Sequence, residues 1–112
     1  MPRPRKPRFV QGHPIVSTFV PDRIPPWGRE VTILPVEGLE AIKLSDFQGM
    51  DQETAAKMMN DSHQTFGRIL ADARAVVADA LVMGKTLRIE GGHFDMPPRG
   101  RGRRRRGWGG RF

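Results

Sequence analysis

The chain has no cysteine among its 112 residues, which excludes disulfide staples and thiolate metal sites. No apolar run approaches the roughly 20 residues that cross a bilayer. The arginine-rich start also lacks the apolar stretch of a secretory signal, so a cytoplasmic protein without membrane contact is expected. No phosphate-cradling glycine loop or nucleophile elbow is present. His13, His63 and His93 are far apart and show no metal-ligand spacing. Glu37 and Glu40, one helical turn apart, flank an ordinary amphipathic pattern. An enzyme is not expected, and no cofactor or metal is implied.

Acidic residues are missing from both ends. The opening MPRPRKPR carries Arg3, Arg5, Lys6 and Arg8 without one acid, and the closing RGRGRRRRGWGGRF carries seven arginines, Arg103, Arg104, Arg105 and Arg106 in one run. The whole chain has 19 Lys and Arg against 12 Asp and Glu. Residues 9–98 therefore hold eight basic and twelve acidic groups, a mildly acidic body between two strongly basic arms. Each phosphate neutralised by Lys or Arg releases condensed counterions, so such arms point to nucleic acid.

Four segments follow from the patterning. Residues 1–8 form a basic arm kept extended by Pro2, Pro4 and Pro7. Residues 9–35 form an extended segment, in which IVSTFV (15–20) and VTIL (31–34) read as short strands bounded by prolines. The DRIPPWG turn joins them, and its Trp27 is expected to act as a lid on a small core. Residues 36–92 form the folded unit. Residues 93–112 run through proline into Arg–Gly repeats, which bury too little apolar surface to order alone.

Within the folded unit the period changes at Pro35. Val36, Leu39, Ala41, Ile42, Leu44 and Phe47 give an amphipathic helix ending at Gly49. Asp51 is a good N-cap for a short second helix with Ala55, Ala56 and Met59 on its apolar face. A third helix runs from Asp61 or Ser62 towards Leu81. At about 100° per residue, Ile69, Leu70, Ala73, Val76, Val77, Ala80 and Leu81 share the core face of Phe66. TLRIE then alternates Leu87 and Ile89 inward, a strand suited to pairing with VTIL.

A short helix, a tight turn and a longer helix is the arrangement of a helix-turn-helix reader. Gln52–Ala71 meets its demands: Ala56 where the helices cross, Asn60 tolerant of positive φ in the turn, and Phe66 with Ile69 facing the first helix. The expected fold is mainly α, a three-helix helix-turn-helix unit with short flanking β-strands and disordered basic tails. Gln64 and Arg68 lie on the face opposite Phe66, beside Gly67 and Ala71. A mid-helix glycine costs about 1 kcal/mol relative to alanine. Small residues beside two long polar ones would let the helix approach a groove wall. There glutamine pairs with adenine and arginine with guanine. His63 and Thr65 are placed for phosphate contacts at the helix N-terminus.

MPRPR at the start, VEGLEAIKLSDFQG, QTFGRIL and KTLRIEGG resemble the domain of unknown function 134 family, over residues 1 to about 92. That family of small prokaryotic proteins is predicted to bind DNA and is similar to region four of sigma factors. The resemblance implies a cytoplasmic DNA-binding protein with Ser62, Gln64, Thr65 and Arg68 in the recognition helix. Where the family reads Gly-Val-Ser-Arg, this chain has Asn60, Asp61, Ser62 and His63, and the family's cysteine in the N-terminal arm is Pro7. Asp61 is expected to be exposed and to cap the third helix, with Gln64 three places on completing a capping box.

The expected partner is double-stranded DNA. Ser62, His63, Gln64, Thr65, Gly67 and Arg68 would form the reading face, with Arg3, Arg5 and Arg103 to Arg106 on phosphates. Two alternatives stand beside it. The Arg/Gly tail, with Trp108 and Phe112 able to stack on bases, has the composition of RNA-gripping segments. The acidic body also suits a protein partner in the transcription machinery, or a second copy in a homodimer.

Overall fold

A computed structural model describes residues 8–92 and 94–95 of the chain. In chain order its elements are β1 (Arg8–Phe9), β2 (Thr18–Phe19), β3 (Val31–Leu34), α1 (Val36–Ile42), α2 (Gln52–Met58), α3 (His63–Met83), β4 (Thr86–Ile89) and β5 (Phe94–Asp95). The protein is thus a mainly α domain with a small sheet. The expected pairing of VTIL with TLRIE holds: β3 lies parallel to β4, with Val31 opposite Thr86 and Leu34 opposite Ile89. Parallel neighbours need a long crossover, and here the crossover is the whole helical unit. On its other side β4 takes β2 antiparallel, Phe19 facing Leu87, while β1 and β5 form a separate parallel pair.

Pro35, with φ of −61°, is pre-set for the entry into α1. α1 crosses α3 very closely. A Cβ on Gly38 would stand 2.9 Å from Leu34 Cδ1 and 3.2 Å from Ala73 Cβ, so only glycine fits between strand and helix there. Beyond Ile42 the helix widens into a π-helical turn, Lys43–Phe47, before Gly49 turns the chain at φ 74°. α2 is capped by Asp51, whose carboxylate accepts the Thr54 amide at 2.8 Å. α3 ends at Gly84, left-handed at φ 67°.

Two apolar clusters share α3. Ala41, Leu44, Ala55, Ala56, Met59, Phe66 and Leu70 pack between the helices. Val10, Leu34, Val36, Ala73 and Ile89 pack between α1, α3 and the sheet. Val10 joins the segment before residue 36 to the core of the helical unit.

Four expectations fail, each for a local reason. The strand expected over 15–20 is reduced to Thr18–Phe19, the two residues that pair with Arg88 and Leu87 of β4. Phe47 is 82% exposed rather than core-facing, because the π-helical turn inserts a residue and rotates it off the apolar stripe. Leu81 is 78% exposed: with Phe19 and Val20 it lines an open groove past the end of the core. Trp27 is 87% exposed and is no lid. Its Pro26–Gly28 turn is closed by its own bonds, Gly28 N–H to Pro25 at 2.8 Å and Arg29 Nε to the Ile24 carbonyl at 2.6 Å.

Candidate nucleic-acid interface

The α2–α3 corner is built from the backbone outwards. Met59 amide bonds to Ala55 and Ala56, and the Asp61 amide to the Ala56 carbonyl at 2.9 Å, wind the chain tightly after α2. Asn60 absorbs the reversal with φ of 61°, as its tolerance for the left-handed region allows. Ser62 then starts α3, its hydroxyl accepting the Thr65 amide at 3.1 Å. The apolar side chain that seals the corner is Met59, fully buried with Phe66, Ala55 and Ala56.

Asp61 does not cap α3, and it is not exposed. Ser62 occupies the cap, and Asp61 turns instead to the N-terminal strand. Arg8 Nε lies 2.6 Å from Asp61 Oδ2, and both side chains are only 12% exposed. The two atoms meet as charges without hydrogen-bond geometry. The Phe9 amide bonds to the Met59 carbonyl at 3.0 Å, so strand and charge pair pin β1 onto the corner. Arg8 is therefore held within the fold. Arg3, Arg5 and Arg103 to Arg106 lie outside the described residues.

Of the expected reading face, Ser62, His63, Gln64 and Arg68 are exposed, and Thr65 and Gly67 are half-buried. Arg68 forms no ion pair with another described residue. The stripe Gln64, Arg68, Ala71, Ala75, Ala78 is solvent-facing throughout. Its long polar side chains are confined to the N-terminal part of α3, and alanines follow.

Gln52, which the sequence pattern does not single out, belongs to the same surface. A Cβ on Gly67 would lie 2.6 Å from Gln52 Nε2, so the space beside the glycine is taken by an amide from the first turn of α2. No local pattern links residues 52 and 67. His63 also acts on Asp51, whose carboxyl is held below its usual range chiefly by the Thr54 amide and in smaller part by the charges of His63 and Lys57. Further along, Arg74 grips Asp46 through two bonds of 2.6 and 3.1 Å and holds its carboxyl down. Lys85, bonded to Asp79 at 2.9 Å, is pushed up. No described helix is long and apolar enough to cross a membrane.

The family model described as "Protein of unknown function DUF134" matches residues 1–97. The chain belongs to that family. A UPF0251 protein of Caldanaerobacter subterraneus is 49% identical over 113 residues, covering 96% of each chain. A second, from Thermoanaerobacter pseudethanolicus, is 50% identical over 94 residues, 84% of this chain and 80% of the relative. A third, from Chlorobaculum tepidum, is 48% identical over 90 residues, 80% of this chain and 59% of the relative. No solved structure matches.

Proposed function

We propose that the protein is a cytoplasmic, sequence-selective DNA-binding protein acting as a transcriptional regulator, with α2, the turn and α3 serving as a helix-turn-helix reader. The observation that carries the reading is the solvent-facing group Ser62, Gln64 and Arg68 on the first turns of α3, beside Gln52. In this class of reader the N-terminal residues of the second helix contact base edges while the first helix meets the backbone. Arg68, without an ion-pair partner among the described residues, is suited to guanine and Gln64 to adenine. The basic arm supports the same reading, because the chain enters the fold at Arg8, next to the corner. Arg3 and Arg5, which precede Arg8 in the chain, would meet phosphates.

A selection from random duplexes, followed by binding measurements with heparin competitor, tests this. Enrichment of one sequence whose binding survives heparin supports duplex reading by α3. Binding without sequence preference that heparin removes assigns the interaction to the basic arms, and preference for single-stranded RNA assigns it to the Arg/Gly tail. Absence of any nucleic-acid binding leaves the protein-adaptor role.

A further inference from the structure

Gly67 is the one glycine inside α3. A Cβ there would lie 2.6 Å from Nε2 and 3.8 Å from Cδ of Gln52, with no other side chain in the way. The carboxamide of Gln52 therefore lies against the α3 backbone, closer than any side chain at 67 would permit. The space that the sequence leaves beside Gln64 and Arg68 is filled from α2.

The seated amide faces outward. Gln52 is exposed, and its amide has no hydrogen-bond partner among the described residues. Gly67 is one helical turn from Gln64 and adjacent to Arg68, so the amide joins their solvent-facing group. The neighbouring Asp51 carboxylate is occupied: it accepts the Thr54 amide and faces the charges of His63 and Lys57. Glycine inside a helix is destabilising relative to alanine, and no core contact requires it at 67, since only Gln52 meets the missing Cβ.

We propose that the Gln52 amide donates to a DNA backbone phosphate while α3 reads bases, and that Gly67 positions it by letting it lie across the helix. The inference rests on the DNA-binding reading and adds to it a contact from α2 and the residue that places that contact. In a helix-turn-helix reader the first helix crosses the backbone. Phosphate contacts there fix the register without carrying sequence information. Alanine at 67 is the better helix former but pushes the amide off α3, so a gain in stability is tied to a loss of affinity.

The test uses the full chain, a duplex selected from random sequences and a scrambled duplex. Gln52→Ala should weaken both duplexes by a similar factor, roughly tenfold, the range of one hydrogen bond to a charged acceptor. Gly67→Ala should weaken both in the same way while its thermal midpoint rises. The double variant should bind no worse than Gln52→Ala alone, because the glycine acts through the amide. Methylphosphonate placed at one phosphate of the selected duplex at a time should find a position that weakens the wild type and leaves Gln52→Ala unaffected. Selective binding by Gln52→Ala at wild-type affinity overturns this inference and leaves the reading by α3 standing. A further loss in the double variant would mean that the methyl itself meets DNA, which overturns the positioning role of Gly67. A loss confined to the selected duplex would mean that the amide reads a base, which overturns the phosphate contact. Absence of selective duplex binding by the wild-type chain overturns both this inference and the reading beneath it.

Discussion

Arg8 and Asp61 close the protein's N-terminal strand onto the corner between α2 and α3, with 2.6 Å between Nε and Oδ2. The pair explains how an acid is tolerated at a turn where an apolar residue would be unremarkable: Met59 fills the apolar space, and Asp61 is neutralised by the arm. Asp61→Val is therefore expected to destabilise the fold, because it strands a guanidinium that is only 12% exposed. Breaking a fully buried pair costs about 3–5 kcal/mol. Both side chains keep some contact with water, so about 1–2 kcal/mol is expected. Adding Arg8→Leu should recover part of the loss, and a double-mutant cycle by urea denaturation measures the coupling. Additive single losses would show that the two charges are independent.

Gly67→Ala is expected to stabilise the protein. The new methyl would lie 2.6 Å from Gln52 Nε2, but that atom is the far end of a flexible exposed side chain and can rotate away. The helix gains up to about 1 kcal/mol from replacing glycine. A rise in thermal midpoint, with the Gln52 side-chain amide shifted in NMR spectra, is the expected pair of results. A fall would mean that Gln52 is fixed against α3.

These two sites mark how far the structure is legible in the sequence. Helical periodicity places α3 and its buried Phe66, Leu70, Ala73 and Ala80, a β-branched run places β3, and the alternation of Leu87 and Ile89 places β4, because those signals lie within one element. Asn60 with positive φ and Asp51 as a cap are readable for the same reason. The apolar spacing misplaces Phe47, because a single extra residue in a π-helical turn leaves no mark on it. Asp61 is misplaced because its partner lies more than fifty residues away, beyond any local pattern. Ser62, the next residue, fills the cap. On the proposed reading face, the exposure of Gln64 and Arg68 follows from the same wheel that buries Phe66. The neighbouring Gln52 does not, because it depends on how α2 crosses α3.

Arg68→Ala should remove selective duplex binding and leave stability within about 0.5 kcal/mol, as expected for an exposed position without an ion-pair partner among the described residues. Loss of a bidentate arginine–guanine contact corresponds to about 1–3 kcal/mol of discrimination. Competition between the selected duplex and a scrambled one, together with a thermal melt, checks both halves. Unchanged selectivity would move the reading face elsewhere on the protein.

Deleting residues 99–112 removes seven arginines. If they neutralise phosphates, affinity for all duplexes should fall similarly, and the slope of log K against log salt should flatten by about 0.9 for each phosphate left unneutralised. Titrations at several salt concentrations on selected and scrambled duplexes give both quantities. A change in sequence preference with an unchanged slope would mean that the tail reads bases.

Acid should weaken the fold through two carboxylates, Asp46 in the π-helical turn and Asp51 at the cap of α2. Asp51 is held below the ordinary 3.8 mainly by the Thr54 amide, and Asp46 mainly by its hydrogen bonds from Arg74. A depressed carboxyl binds its proton less readily when folded than when unfolded. Its stabilising contribution is then complete above the unfolded value and is lost as pH falls through the folded one. Lys85, raised by Asp79, acts in the opposite range: its contribution is complete below the ordinary 10.5 and is lost as pH rises past it. The thermal midpoint should therefore be insensitive to these groups between about pH 5 and 9, falling below about pH 4. Asp51→Asn keeps an oxygen on the Thr54 amide but cannot titrate, and Asp46→Asn removes the charge facing Arg74. Each should flatten the acid limb, and the double variant should flatten it further. Melts from pH 7 down to about 2.5 read this directly, and an acid limb as steep in the double variant as in the wild type would assign the sensitivity to other carboxylates.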